Sequence, residues 1–219
     1  MSNQLLVTYT KIDDVRGSNS DKFPFIDILA GRDANNNPII EPYISAGYEL
    51  FTWNNGVHNN VLTITDNFTY YLDKHKITAG VSFENQMANN AYMRNGTGYY
   101  RYASIDDFLN QAAPIDFALT YGYDGELSPA AEVRFNQYGA YVQDEWNIYD
   151  NVKLTYGLRA DMLTFDNNLI RNNAIYNLSF GDKKIDTGAW PDSKILLSPR
   201  VGFTWDVFKD QTLKVRGGT

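Results

Sequence analysis

The residues best suited to contact a solute lie in "NGTGYYRYAS" at 95–104, where Tyr99, Tyr100 and Tyr102 flank Arg101. Aromatic rings stack on sugars or pack on a peptide, and a guanidinium clamps a carboxylate through paired N–H donors. The same tyrosines could instead pack the loop that carries them. Of the two histidines, His58 reads as a loop residue and His75 as a turn residue. A metal needs converging ligands, and the chain has no HxxxH and no His/Asp cluster, so no metal site is expected. No GxSxG, phosphate-binding loop or zinc-hydrolase motif occurs. Carboxylates are frequent in the loops, but nothing pairs them for acid/base work. Neither a catalytic residue, a cofactor nor an enzyme activity is therefore expected. Three sequons, at Asn67, Asn95 and Asn177, are too short to carry weight.

The elements that must position these residues are strands. Residues 135–165 read "FNQYGAYVQDEWNIYDNVKLTYGLRADMLTF". Val152, Leu154, Tyr156, Leu158, Ala160 and Met162 share one parity, and Lys153, Thr155, Gly157, Arg159 and Asp161 the other. Such alternation predicts a strand with one apolar and one polar face. The pattern recurs in Leu62–Leu72 and Ile77–Phe83, and again in Val201–Val207 with Leu213 and Val215. Three hairpins follow, turning near 73–76, 149–151 and 209–211, with an additional strand at about 4–12. Residues 13–60, about 86–132 and about 166–197 read as long polar loops. One short helix is predicted in "SIDDFLNQA" at 104–112, capped by Ser104, with Asp106 and Asp107 at its positive end.

Composition leaves the lipid question open. The net charge of −7 and the lack of Lys/Arg runs argue against a nucleic-acid surface. There is no cysteine, hence no disulfide framework and no thiolate metal site. No stretch approaches the roughly 18–20 apolar residues of a membrane-spanning helix, but a barrel strand needs only about 9–11 alternating ones. The opening "MSNQLLVTYTKI" lacks the pattern of a signal peptide, and "LKVRGGT" stops inside an alternating run, so a piece of a longer protein is expected.

A soluble β-sandwich also has one apolar and one polar face. Three features favour lipid. A strand of about 13 residues, tilted by about 45°, covers about 30 Å, the thickness of a bilayer core. Tyr70, Trp146 and Trp205 lie on the apolar parity a few residues before each tight turn, as in an aromatic girdle. The polar parity carries Glu84, Arg159, Asp161, Lys214 and Arg216 with Gly80, Gly139, Gly157 and Gly202, which suits a wet or plugged lumen. Asp144 fits badly, because it shares the parity of Val142 and Trp146, where a carboxylate facing hydrocarbon is costly. Asp66 raises the same difficulty. The fold class predicted is all-β: an antiparallel up-and-down meander of about seven long strands, part of a transmembrane barrel with tight turns at one end and long loops at the other.

The wording "QYGAYVQDEWNIYDNVKLTYGLRAD" resembles the barrel hairpins of TonB-dependent outer-membrane receptors, whose strands read Y-x-Q-D-x-W, a short turn, then L-x-x-G-x-R-x-D. "NVLTITDNFTYYLDKHKITAGVSFE" and "SPRVGFTWDVFKDQTLKVRGG" resemble neighbouring hairpins of that family. The resemblance implies a barrel of 22 strands in a Gram-negative outer membrane, plugged by an N-terminal domain. It also implies active uptake of a scarce solute such as a metal chelate, cobalamin, a glycan or a peptide, driven by a periplasmic energy-coupling protein. Residues 1–219 would then be a partial barrel in contact with lipid, without the plug or the segment that meets the coupling protein. A soluble or surface-exposed β-rich module that binds glycan or protein through its loops stays open as an alternative, as does a porin or adhesin translocator.

Overall fold

A computed structural model describes residues 1–166 and 168–219. In chain order the strands are β1 (Ser2–Val15), β2 (Phe25–Leu29), β3 (Pro42–Ala46), β4 (Gly56–Leu72), β5 (His75–Ala91) and β6 (Tyr99–Tyr102), then β7 (Asp116–Ala118), β8 (Ala131–Tyr149), β9 (Val152–Phe165), β10 (Ile195–Asp206) and β11 (Lys214–Gly218). Helix α1 (Ile105–Leu109) follows β6, and α2 (Asn173–Tyr176) follows β9. The chain divides into two compact units: Met1–Lys11, Asn60–Met87 and Val133–Thr219 in the first, Ile12–Asn59 and Ala88–Glu132 in the second.

The first unit is built on a seven-stranded sheet in the linear order β1-β4-β5-β8-β9-β10-β11. It is the antiparallel meander that alternation predicts. Between β8 and β9 the register runs from Phe135↔Phe165 to Tyr149↔Val152, with a shift at Asn147/Tyr149. Between β9 and β10 it runs from Met162↔Ile195 to Val152↔Trp205. Across these strands the apolar parity lines up, Val142 opposite Leu158 and Leu158 opposite Pro199, with Tyr156 opposite Val201 and Leu154 opposite Phe203. That stripe stays open: Val142 is 50% exposed, Leu158 46%, Val201 54% and Phe203 44%. In a soluble sandwich such residues would form the core; an uncovered apolar face several strands wide is what lipid covers.

The strands outrun their sequence-based limits. β5 is 17 residues long and β8 is 19, so both reach into stretches expected to be loop. The end of β5, "NQMANNA", carries polar residues on both parities, and the start of β8, "AEVRFNQ", has Ala131, Val133 and Phe135 on the parity opposite to Tyr138, Ala140 and Val142, which breaks the alternation signal while leaving the backbone free to pair. For the same reason His58 lies inside β4, not in a loop, and His75 opens β5 instead of sitting in the turn. β11, by contrast, is only 5 residues long.

The second unit holds a four-stranded sheet, β3-β2-β6-β7, where only loop was expected. β2 pairs antiparallel with β3 and parallel with β6, and β6 pairs antiparallel with β7. These strands are 3–5 residues long, too short for a period to register. Among the described residues, every buried hydrophobic side chain belongs to this unit: Ile28, Leu29, Tyr48, Ala91, Met93 and Ala103. Helix α1 forms as predicted, with the Ser104 Oγ accepting from the Asp107 N–H at 3.0 Å. α2 is a second, unexpected single turn, capped by Asn172.

Candidate functional site

On the polar face of the seven-stranded sheet, charged side chains are paired across strands. Glu145 on β8 accepts from Lys76 of β5 at 2.7 Å and from Lys153 of β9 at 3.0 Å. Arg159 holds Asp161 with two N–H groups, Nε to Oδ2 at 2.8 Å and Nη2 to Oδ1 at 2.7 Å. The Tyr141 hydroxyl donates to Asn67 Oδ1 at 2.8 Å. Two glycines make these contacts possible. A Cβ on Gly80 would lie 2.3 Å from Tyr141 Cε1 and 2.4 Å from Asn67 Oδ1. One on Gly139 would lie 2.6 Å from Arg159 Nη2 and 2.4 Å from Ser82 Oγ. The side chains lie flat over the bare backbone and form a polar wall. At Gly157 the wall dips into an open hollow of about 430 Å³, bordered by Lys76, Gln143, Glu145, Arg159 and Arg200.

On the apolar face a polar cluster accounts for Asp144. This residue is only 8% exposed. Its Oδ2 meets His75 Nδ1 at 2.6 Å and accepts from the Tyr156 hydroxyl at 2.8 Å. The His75 ring stacks on Trp146, centroids 5.4 Å apart. The carboxylate is thus shielded from hydrocarbon by two partners and two rings, and no bulge is needed at Asp144 itself. Its Oδ1 is buried without a hydrogen-bond partner. Asp66 Oδ1 is likewise unpartnered, and nothing in the structure compensates it. Tyr156 was accessible to sequence reasoning, since the hairpin register sets it opposite Asp144. His75 was not, because it comes from another hairpin.

The loop residues proposed to hold a ligand all fall on β6, where strand parity splits them. Tyr99 and Arg101 converge on Asp27 of β2, which is 6% exposed. The Tyr99 hydroxyl donates to Asp27 Oδ2 at 2.7 Å, the Ser45 hydroxyl donates to Oδ1 at 2.5 Å, and Arg101 Nη2 lies 3.5 Å away. Arg101 also meets Asp116 at 3.2 Å. Burial, followed by the bond to Asp27, pushes the Tyr99 phenol up to about 12. Tyr100 packs on Phe117 and Tyr102 edge-on against Phe108. Asp27 escaped sequence reasoning; a lone carboxylate inside "FIDIL" was the available signal. His58 pairs with Asp13 at 2.8 Å. Among the described residues, no group of three or more His, Cys, Asp or Glu is placed to hold a metal.

Long antiparallel strands in a linear meander, with an uncovered apolar face and a paired polar one, define a wall that spans a membrane. The family described as outer membrane beta barrel domain matches residues 1–219, and the chain belongs to it. It is an outer-membrane protein in contact with lipid. No curated protein and no solved structure matches the chain.

Proposed function

We propose that residues 1–219 form part of the barrel of a TonB-dependent receptor that takes up a scarce solute across the outer membrane, acting by binding and passage rather than by catalysis. The observation that carries this reading is the wording of the β8–β9 hairpin, Tyr141-x-Gln143-Asp144-x-Trp146 followed by Leu154-x-x-Gly157-x-Arg159-x-Asp161. The topology agrees with it. β1 and β11 edge the sheet, and exposed edges are not tolerated in hydrocarbon. In an antiparallel run of seven, these two edges point the same way, so joining them, within one copy or head-to-tail between copies, would require a parallel pair. An antiparallel barrel therefore needs an odd number of further strands. The polar wall, with its hollow at Gly157, is suited to face a plug domain, and the coupling protein would act on segments outside these residues.

The solute is met by the ordered loops in this reading, with Tyr99, Tyr100, Arg101 and Tyr102 as the candidate contacts. Tyr99 and Arg101 also hold Asp27, so the informative replacements are Tyr100→Ala and Tyr102→Ala in the full-length receptor. Unchanged binding and uptake would remove the segment from the site. The receptor reading itself is tested by conductance of the full-length protein in planar bilayers. A plugged receptor is silent and binds the purified coupling protein. A steady open channel without such binding would make it a passive porin.

A further inference from the structure

The Asp144 cluster lies at one end of a groove. On the apolar face, Val142, Asp144, Tyr156, Leu158, Pro199 and Val201 border a hollow of about 350 Å³ across β8, β9 and β10. Its polarity is graded along the membrane normal. Asp144, Tyr156 and Val201 lie nearer the tight turn at Asp150-Asn151, and Val142, Leu158 and Pro199 lie farther from it. A phospholipid in the leaflet at the tight-turn end has the same grading, with its headgroup outward and its chains toward the bilayer centre. Trp146 and Trp205, at the girdle positions, mark the headgroup level.

The charge selects the headgroup. Around the site the apolar parity carries Ile77, Trp146, Leu154 and Phe203, with no Lys or Arg; Arg200, which also borders the hollow, belongs to the opposite parity of β10. Asp144 has one oxygen bound by His75 and Tyr156 and one without a partner. A carboxylate in such surroundings favours a cation that also brings N–H donors. An anionic headgroup would be repelled.

We propose that this groove is a binding site for a phospholipid with a primary ammonium headgroup, phosphatidylethanolamine, whose ammonium is held at Asp144 and whose chain lies along Val142, Leu158 and Pro199. The proposal rests on the chain's being an outer-membrane barrel wall and not on the uptake reading, so either can fail alone.

The test uses the full-length protein, extracted in detergent, exposed to equal amounts of phosphatidylethanolamine and phosphatidylglycerol, then stripped progressively while retained lipid is counted by mass spectrometry. The expected result is roughly tenfold retention of the ethanolamine lipid over the glycerol lipid, equivalent to about 1.4 kcal/mol. With the wild-type protein, mono-, di- and trimethylated ethanolamine lipids should be retained progressively less as N–H donors disappear. Asp144→Asn should bring the two retentions close to equal, and His75→Gln should keep the preference, since it removes a partner that competes for the carboxylate. Equal retention of both lipids by wild type would overturn the proposal, as would indifference to headgroup methylation. So would a preference that survives in a folded Asp144→Asn protein or is abolished by His75→Gln. Should Asp144→Asn fail to fold, the methylation series decides alone.

Discussion

Two aspartates of this chain are almost equally buried and are treated in opposite ways. Asp27, in the loop sheet, is 6% exposed, and Asp144, on the apolar face of the wall, is 8% exposed. Each accepts from a tyrosine hydroxyl, at 2.7 and 2.8 Å respectively. The unit around Asp27 has a hydrophobic core, and there the charge is met by Ser45 on the second oxygen and by a guanidinium that never loses its proton. The wall is one layer thick with no core of its own. Asp144 is met by an imidazole and a phenol on one oxygen, with no guanidinium or ammonium, and keeps the other oxygen unpartnered. A buried charge that is fully matched within the chain holds a fold together. A partly matched one on a surface that faces lipid is available to the surroundings.

The largest expected effect comes from unmatching Asp27. Arg101→Ala leaves that carboxylate buried with hydroxyl donors only, and breaking a buried pair of this kind costs about 3 kcal/mol. Hydrogen exchange in the full-length protein should accelerate at the backbone amides of β2 and β6, while those of β9 and β10 keep their protection. Equal acceleration in both units would show that they unfold as one, and the contrast would then lose its structural basis.

The polar wall predicts the next effect. Gly139→Val places a side chain where Ser82, Arg159 and Asp161 already meet. Overpacking of this sort costs about 1–3 kcal/mol. Heat-dependent mobility of the detergent-folded protein should show a lower unfolding temperature, and Gly80→Val should do the same by displacing Tyr141 from Asn67. Gly202→Val, where only the Gly217 carbonyl at 3.5 Å is met, should be tolerated. If all three variants behave alike, packing over the glycines is not what fixes the wall.

How much of this was legible depended on sequence distance. Alternation exposed the long strands, since each reports its own faces, and Ser104 with Asp106 and Asp107 marked α1 locally. The strand tips were hidden because the end of β5 carries polar residues on both parities and the start of β8 moves its apolar residues to the other parity. The loop sheet was hidden because its central pairing is parallel and joins β2 to β6, so that Asp27 and Tyr99 meet across 72 residues. Asp144 was conspicuous as a misfit, yet its explanation needed His75, 69 residues away. Sequence period thus reveals which face a residue is on, and not which distant residue it finds there.

Tyr156→Phe sharpens the comparison from the side of the wall. It removes one donor to Asp144 and leaves His75 in place, so the expected loss is smaller than that of Arg101→Ala. Thermal unfolding of the two variants side by side gives the order. A larger effect for Tyr156→Phe would mean that the wall depends on the Asp144 cluster more than the loop sheet depends on Asp27.

The smallest effect belongs to an ion pair that is buried in neither manner. Arg171 grips Asp186 with Nε to Oδ1 at 3.0 Å and Nη2 to Oδ2 at 2.5 Å, and the Gly188 N–H donates to the same carboxylate at 2.9 Å. The Arg171 bond, followed by the Gly188 bond, holds the Asp186 carboxyl below its ordinary value. A carboxyl lowered on folding contributes order that is fully present above the unfolded value of about 3.9 and is lost as the pH falls through the folded value below it. Protease cleavage between residues 171 and 188 should therefore be unchanged from neutral pH down to about 5 and should speed up only below about 4, tested with an acid-active protease. Being exposed, the pair is screened, so Arg171→Ala should raise neutral-pH cleavage modestly and shrink the acid step to the part that the Gly188 N–H sustains. An acid step of undiminished size in Arg171→Ala would assign it to another carboxylate, with Asp210, held low by the Thr212 hydroxyl and N–H, the next to replace.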